Sequence, residues 1–400
     1  MEKTKELVQV IYDEVVAIRR DLHAHPELSE SEKRTAEKIS QYLTDWGIPH
    51  TKNVAGHGIV AVLQGKKATM ENQKYKVVGI RADIDALPIH EATDVPYKSQ
   101  NCGVMHACGH DIHTAVLLGT AKILKTLETD LNGTVKFFFQ PSEETIGGAN
   151  QMIEAGCLEN PKTEAVLAFH VAPDLPCGTV EFRKGKMNAA SCEFNIIVKG
   201  NSCHGAHPQL GCDPIVIASQ IVVGLQSIVS RNLDPVNTGL ITVGMFEAGS
   251  KGNIIPGEAK LIGIIRALDN DTRTFLKEKL KSFAENTARA FDGEAQVNFK
   301  DSYPALENDS EMTEIMESVA KKLLSEDMIK YMPAPSLGAD DFSYFTQNAK
   351  GVYFNIGTLR KNETVPQALH NEYFNPDENC IKTGMLMEVA GVFEVLGKTI

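Results

Sequence analysis

Clusters of positive charge are missing from this sequence. Its 400 residues carry 40 Lys and Arg against 52 Asp and Glu, which gives a formal net charge of -12. Nucleic acids and anionic membrane surfaces are bound by clustered Lys and Arg side chains. We therefore expect neither a nucleic-acid partner nor a charged-membrane partner.

Long hydrophobic runs are also absent. A membrane-spanning helix needs about 18 or more consecutive apolar residues, and the sequence has no such run. The first 22 residues place Glu2, Glu6, Asp13, Glu14 and Asp21 among apolar side chains, which is typical of a half-buried helix and not of a signal peptide. We expect no membrane partner.

Cysteine is too sparse for a disulfide-stabilised secreted domain. The chain has 8 cysteines, scattered along its length. Small secreted domains instead have closely spaced, paired cysteines. The sequence therefore predicts reduced thiols and a cytoplasmic location.

The chain is long enough for two hydrophobic cores, and its 42% hydrophobic and 23% charged residues are those of an ordinary globular protein. Short apolar runs without alternation predict buried strands covered on both faces. They are Val77–Ile80, Val135–Phe139, Ala165–Phe169 and Val352–Ile356. With helical patterns between them, they predict an α/β fold: a mixed, mostly parallel sheet with helices on both faces, formed by residues 1–182 and 301–400.

Residues 183–300 have a different pattern. Strand-like and helix-like segments alternate there in the order βαββαβ, which predicts an inserted α+β domain with a four-stranded antiparallel sheet and two helices. We interpret this domain as a lid or assembly domain. Residues Gly65 to Asn72 are predicted to form a polar, exposed loop.

The segment from His106 to Ala115 contains three histidines, a cysteine and an aspartate at the start of an apolar helical pattern. Cys108 and His110 are two residues apart, so in an extended segment both side chains face the same side and can bind one ion. Asp111 stands where a helix N-cap is expected. His106 and His113 either cap and pack this helix or contribute to the same site.

Further candidate ligands follow other predicted strands. Glu143 and Glu144 come after one strand, His170 ends the next, and His370 follows a later polar loop. In α/β sheets, ligands bind beyond the carboxyl ends of the strands. Two strand-end carboxylates, Asp83 and Asp85, occur at the exit of the run that begins at Val77.

Together, Cys108, His110, Glu144, His170 and His370 offer sulfur, nitrogen and oxygen donors. Such donors favour a zinc-like ion, and manganese, nickel or cobalt is compatible with them. The set is too rich for one tetrahedral ion with an open water position, so it predicts two divalent ions sharing a ligand. Of the adjacent glutamates, one would bind metal and the other would take a proton from the attacking water.

The inserted domain carries its own polar candidates. A glycine-bordered turn, Gly200 to Pro208, presents His204 and His207, which could stabilise an oxyanion. Asn253 precedes an Ile-Ile-Pro sequence. Arg266 follows an apolar strand and is either a clamp for a substrate carboxylate or an exposed charge.

These motifs, taken in order, resemble the amidohydrolase branch of the aminoacylase/carboxypeptidase family of dinuclear metallohydrolases, which includes hippurate hydrolases and N-acetyldiaminopimelate deacetylases. The matching segments run along nearly the whole chain: Arg19 to His23, Arg81 to Pro88, His106 to Thr114, Gln140 to Glu144, His204 to Pro208, Leu210 to Pro214, Asn253 to Pro256, Asp341-Phe342 and His370.

The resemblance implies two metal ions held by Cys108, His110, Glu144, His170 and His370, with Glu143 as general base and acid. It also implies a homodimer formed through the inserted domain, in which His204 reaches toward the partner subunit's site. Asn253 and Arg266 would face the substrate, and Asp85 would orient the site. Where the carboxypeptidase branch has a histidine ligand this chain has Asp83, which favours the amidohydrolase branch.

The expected reaction is hydrolysis of the amide bond of an N-acyl-L-amino acid by metal-activated water. Three alternatives remain open. The first is a metallo-carboxypeptidase or dipeptidase. The second is a metal-independent amidase in which Cys108, activated by His110 or His106, is the nucleophile. The third is a binding protein that keeps the fold without catalysis.

Overall fold

The chain folds into two compact units, each with its own core. The computed structural model describes residues 2–66, 75–363 and 365–397. The large unit comprises Met1–Gly185, Glu307–Ala334 and Asp341–Ile400, and the small unit comprises Lys186–Leu306 and Pro335–Asp340. The segment predicted as inserted, 183–300, makes up most of the small unit, which also takes in 301–306 and 335–340. Most of the polar loop predicted at 65–72 lies outside the described residues.

An eight-stranded mixed sheet forms the centre of the large unit, in the order β1-β2-β4-β3-β5-β16-β6-β15. Its four central strands, β4, β3, β5 and β16, are parallel to one another. The strands are β1 (His50–Val54), β2 (Gly58–Gln64), β3 (Val77–Asp83), β4 (Thr134–Gln140), β5 (Ala165–Pro176), β6 (Val180–Phe182), β15 (Ile329–Tyr331) and β16 (Lys350–Leu359). Every residue of β3 and β4 is buried, as expected for strands covered on both faces.

Helices cover both faces of this sheet, which confirms the predicted fold class. On β4, Phe137 and Phe139 belong to the main core, whereas Phe138 points to the opposite face and its ring lies 5.2 Å from that of Phe345. The large-unit helices are α1 (Glu2–Ala24), α2 (Lys33–Asp45), α3 (His110–Thr126), α4 (Gly148–Glu154), α7 (Ser310–Leu323), α8 (Phe342–Asn348) and α9 (Cys380–Val395).

The small unit contains the predicted antiparallel four-stranded sheet, in the order β10-β12-β8-β13. Alternate residues of β8, such as Phe194 and Ile196, are buried against two helices. Its strands are β8 (Ala190–Lys199), β10 (Gly239–Ala248), β12 (Glu258–Ala267) and β13 (Glu294–Asp301), and its helices are α5 (Pro214–Ser227) and α6 (Asn270–Ala290). A two-stranded sheet in the small unit pairs β9 (Cys203–His204) with β11 (Ile254–Ile255). Strands β7 (Gly185–Asn188) and β14 (Leu306–Asn308) lie where the chain passes from one unit to the other.

Helix α5 and the π-helical turn Ile228–Asn232 after it are long and apolar enough, by length and composition, to cross a membrane. One side of α5 nevertheless packs into the small-unit core through Ile217, Ile221 and Leu225. The helix is therefore accounted for as a covering helix of a sheet.

Candidate metal centre

The predicted ligands come from separate segments of the large unit. Cys108 lies just before α3, His110 is the first residue of α3, and Glu144 follows β4. The turn between the first two depends on Gly109, which has φ +87°, and a Cβ there would lie 2.5 Å from Val171 Cγ2. Only glycine meets both conditions without strain.

The other two ligands come from β5 and from the loop that follows β16. His170 lies inside β5, which continues to Pro176 instead of ending at the histidine as predicted. His370 has φ +61°, an uncommon value for a residue with a side chain. Its backbone N–H donates to Ala107 O at 2.9 Å, which fixes His370 beside Cys108.

The structure brings all five predicted ligands together. Donor atoms within 4.8 Å of one another form two groups that share Cys108: Cys108 with His110 and His170, and Cys108 with Glu144 and His370. Cys108 Sγ lies 3.4 Å from His170 Nε2, and His370 Nε2 lies 3.2 Å from Glu144 Oε1. A third group joins Glu143 to His110 and Glu144.

His110 is held in one orientation. Its Nδ1 lies 3.0 Å from Asp85 O and 3.2 Å from Asp85 Oδ1, so Nδ1 carries the proton and donates. Its Nε2 is buried and has no hydrogen-bond partner among the described residues. A buried imidazole nitrogen that lacks a hydrogen-bond partner destabilises the folded protein. A bound metal ion would serve as the partner of this nitrogen. Burial lowers the pKa of His110, but the Asp83 carboxylate and the Asp85 hydrogen bond raise it well above its usual range.

Cys108 is buried, and this burial raises the pKa of its thiol well above the usual range. Thiols act as nucleophiles in the thiolate form, which a raised pKa makes scarce. The protein environment alone therefore does not favour the metal-independent mechanism at Cys108. A cation bound to the sulfur would stabilise the thiolate instead.

Asp85 connects two of the predicted ligands. Besides bonding His110, it accepts a hydrogen bond from Glu144 N at 3.0 Å and from Ser29 Oγ at 2.7 Å through Oδ2. It is 1% exposed, and its hydrogen bonds lower its pKa although burial raises it. The structure thus places Asp85 where it can orient the site.

A buried network that the sequence did not reveal lies behind the candidate ligands. Asp83 pairs with Arg81 at 2.7 Å and accepts from His113 Nδ1 at 2.6 Å. His113 Nε2 in turn accepts from Val171 N at 3.1 Å, next to His170. His113 therefore joins the end of β3 to β5. Arg81 also forms an ion pair with Asp341, which lies 260 residues later in the chain. Local sequence patterns cannot predict a contact at that separation.

The prediction that Asp111 caps a helix is wrong. Helix α3 begins at His110, with Gly109 at the N-cap, two residues before Asp111. Asp111 is fully buried and pairs with Arg19 Nε at 2.8 Å and His23 Nδ1 at 2.7 Å. The ion pairs lower the pKa of Asp111 although burial raises it. His106 is also buried, with its pKa lowered to about 4 by burial, and belongs to none of the donor groups found among the described residues.

The remaining predicted residues lie in the small unit. His204 is exposed, accepts a hydrogen bond from Ala206 N at 3.0 Å and pairs across β9 and β11 with Ile254. Asn253 is exposed, and its carbonyl accepts from Gly205 N at 2.8 Å. The small unit therefore holds the two segments that carry His204 and Asn253 side by side. Arg266 lies within β12, not after a strand as predicted, and burial lowers its pKa.

The chain is similar to known proteins along most of its length. Residues 79–390 match the family described as Peptidase family M20/M25/M40. The chain is 36% identical over 368 residues to N-acetyl-L-cysteine deacetylase of Bacillus subtilis, covering 92% of this chain and 85% of that protein. It is 37% identical over 390 residues to thermostable carboxypeptidase 2 of Saccharolobus solfataricus, covering 96% of each. A crystal structure of a dinuclear metal-binding peptidase from the M20 family of Bacillus subtilis is similar with a TM-score of 0.82 and 31% identity, covering 97% of this chain and 99% of that one.

Proposed function

The chain belongs to peptidase family M20/M25/M40, and we propose that it hydrolyses the amide bond of N-acyl-L-amino acids to a carboxylate and a free amino acid. The observation that carries the proposal is that a thiol, three imidazoles and a carboxylate form two donor groups that share Cys108, with Glu143 in a third group that also contains His110 and Glu144. Relatives named as deacetylases support the N-acyl class of substrate.

The donors fit two divalent ions. One ion would be held by Cys108, His110 and His170, and the other by Cys108, Glu144 and His370, with the sulfur shared. Zinc and manganese are the first candidates, and nickel and cobalt suit the same donors. When bound, such ions lower the pKa of water and polarise an amide carbonyl.

Glu143 is the proposed general base and acid. It is 7% exposed and adjacent in sequence to the candidate ligand Glu144, within the group that also contains His110. One carboxylate oxygen of Glu143 takes the proton of the water that attacks the amide carbon. The same carboxyl group then delivers the proton to the leaving nitrogen, which departs as a neutral amine.

Three small-unit residues are proposed to contact the substrate. Arg266 would bind its carboxylate, because a guanidinium offers five donors and Arg266 Nη1 donates one bond, to Ile265 O at 3.2 Å. Asn253 would hydrogen-bond the amide region. His204 would reach toward the site of the partner subunit and stabilise the oxyanion formed at the attacked carbonyl there.

We also propose a homodimer formed through the small unit. Helix α5 exposes Val216 and Val223, which are 45% and 70% exposed, on the side away from its core. β10 is at the edge of its sheet, and an edge strand offers unpaired backbone groups to a second chain. An apolar helix face beside an open strand fits a second copy of the same surface.

All eight cysteines are free thiols, which supports the expected cytoplasmic location.

The closest rival is a carboxypeptidase or dipeptidase, because a relative with that name matches as well as the deacetylases do. A panel of N-acetyl-amino acids, N-benzoyl-amino acids and dipeptides, assayed side by side with each metal added back after chelation, separates these functions. We expect chelation to abolish hydrolysis and the N-acyl-amino acids to be preferred. Faster turnover of dipeptides would assign the rival function, and full activity after complete metal removal would favour the thiol mechanism.

A further inference from the structure

The residue before Glu143 has an unfavourable backbone conformation. Ser142 has φ +58°, in the left-handed region that residues with a Cβ rarely adopt. Ser142 is 3% exposed, so hydrogen bonds from water do not stabilise this conformation. Such a conformation persists only where neighbouring groups hold it in place.

Glu32 provides that hold, from 110 residues earlier in the chain. Its Oε1 accepts a hydrogen bond from Ser142 N at 2.8 Å and a second from Ser142 Oγ at 3.3 Å. Ser142 Oγ also accepts from Glu30 N at 2.9 Å. The backbone and the hydroxyl of Ser142 are therefore both fixed by the segment that leads into α2.

The position of Glu32 in its own helix shows that this contact is not incidental. Glu32 occupies the N-cap of α2, where a polar side chain commonly accepts from the backbone of its own helix, yet it makes no capping bond among the described residues. Glu27 does so instead, accepting from Arg34 N at 3.0 Å and Thr35 N at 2.8 Å. The carboxylate of Glu32 is thereby left to bond Ser142.

Burying Glu32 is costly. The residue is 0% exposed, and burial, with the nearby Asp85 carboxylate adding to it, raises the pKa of Glu32 to about 7. A buried carboxylate seldom contributes net stability. Its burial against Ser142 instead fits a role in placing the adjoining loop.

The same segment also fixes the other side of Glu143. Ser29 Oγ donates to Asp85 Oδ2 at 2.7 Å, and this oxygen accepts from Glu144 N at 3.0 Å. Residues 29–32 therefore hold the residue before Glu143 and the residue after it. The backbone is therefore fixed on both sides of Glu143, and this sets the direction of its carboxylate.

We propose that Glu32 is a positioning residue: by holding Ser142 in its left-handed conformation, it directs the Glu143 carboxylate into the donor cluster. This inference rests on the proposed role of Glu143. Loss of Glu32 would let Ser142 relax, and Glu143 would spend most of its time out of line with the attacked amide.

The test compares Glu32→Ala, the double variant Glu32→Ala/Ser142→Gly and the control Glu37→Ala, which removes an exposed glutamate from the same helix. Kinetics use the N-acetyl-amino acid that the unmodified enzyme hydrolyses fastest. Hydrogen–deuterium exchange of peptides covering 138–148 is followed in the metal-free protein.

For Glu32→Ala we expect kcat to fall about tenfold to a hundredfold, with KM changed by no more than about twofold. We also expect faster exchange at 138–148. Relaxing a strained residue lowers the population of its left-handed conformation by such factors. Glycine adopts positive φ at little cost, so the double variant should recover much of the lost kcat. A merely structural role would not produce this rescue. Glu37→Ala should match the unmodified enzyme.

Unchanged kcat and exchange in Glu32→Ala would overturn the inference, as would a loss of kcat that Ser142→Gly does not relieve. If Glu32→Ala does not fold, Ser142→Ala tests the same contact from the other side, because it removes only Oγ. It should lower kcat about tenfold and speed exchange, and normal values would overturn the inference.

Glu143→Gln, measured in parallel, separates this inference from the proposed function. Normal turnover in Glu143→Gln would refute Glu143 as the base, and the exchange data would still decide whether Glu32 holds the turn. If Glu143→Gln is inactive and Glu32→Ala is normal, only the positioning role fails.

Discussion

Asp85 acts on two candidate ligands with one side chain. It fixes which nitrogen of His110 carries the proton, and it bonds the backbone of Glu144. A carboxylate that accepts from a ligating histidine orients the ring and raises its basicity. At the scale of single residues, the site therefore depends on groups that do not themselves touch metal.

Asp85→Asn should weaken metal binding by about tenfold to a hundredfold. Its amide NH2 must face either His110 Nδ1–H, now accepted by Oδ1, or both Ser29 Oγ–H and Glu144 N–H, now accepted by Oδ2. Calorimetric titration of the metal-free protein with zinc measures the change, and Asp94→Asn, at an exposed position, is the control. Equal affinities in the two variants would show that Asp85 does not orient the ligands.

Glu143→Gln should reduce turnover by about a hundredfold to ten-thousandfold, because the amide cannot take the proton of water. The metal content should not change, since Glu144 is the proposed ligand. Steady-state kinetics and elemental analysis of the same preparation check both statements. Glu144→Gln is the matched comparison and should lose metal. Near-normal turnover in Glu143→Gln would remove it from the role of base.

The sequence revealed the metal-donor residues but not the buried ion pairs and hydrogen bonds that hold the surrounding segments in place. Cys108, His110, Glu144 and His370 stood out because thiol, imidazole and carboxylate groups are unusual at strand ends and in turns. The partners of Asp111 could not be inferred, because His23 lies 88 residues away and both residues have ordinary local explanations. Buried ion pairs between distant segments leave no periodic trace in a sequence.

At the scale of elements, α3 and α9 meet through a buried polar contact. Glu388 on α9 is 1% exposed and accepts from Thr120 Oγ1 on α3 at 2.7 Å. Burial raises its pKa from 4.5 to about 8. The folded protein therefore keeps this carboxyl neutral at a pH where the unfolded chain has ionised it.

Because the folded-state pKa is the higher one, the contribution of neutral Glu388 to stability is complete below pH 4.5 and is lost as the pH rises through about 8. Glu388→Gln, which cannot ionise, should remove this loss and flatten the pH dependence by up to roughly 1 kcal/mol per pH unit. Urea unfolding between pH 5 and 8 measures it. The exposed Glu6→Gln should leave the slope unchanged, and an equal slope in both variants would contradict the prediction.

Most elements followed from hydrophobic periodicity, and the exceptions have physical reasons. The strand predicted at Val77–Ile80 is part of β3 because its residues are apolar on both faces. β1 was missed because its sequence, His-Thr-Lys-Asn-Val, is polar and lies at the sheet edge. α9 was missed because it is buried on nearly all sides and so has no amphipathic stripe.

At the scale of the whole molecule, the two units carry different groups of proposed functional residues. The large unit contains the five proposed metal ligands, and the small unit contains the proposed substrate contacts and the proposed dimer surface. A separate second core leaves α5 and the β10 edge able to serve assembly without changing the metal-binding loops.

Val223→Asp should convert the proposed dimer to monomers, because it places a charge within the apolar face of α5, where burial against a second copy would leave it unpaired. Size-exclusion chromatography with light scattering measures the mass. Ser282→Asp, at an exposed position on α6, is the control. A monomeric unmodified protein, or a dimeric Val223→Asp variant, would contradict the proposed interface.

Anomalous X-ray diffraction from zinc-loaded crystals, collected on both sides of the zinc absorption edge, tests the central claim most directly. We expect two zinc peaks per chain, about 3.5–4 Å apart as in two-metal hydrolases, with Cys108 Sγ in contact with both and with His110, His170, Glu144 and His370 completing the two sites. Peaks outside this cluster, or a fully loaded protein in which Cys108 touches no ion, would contradict it.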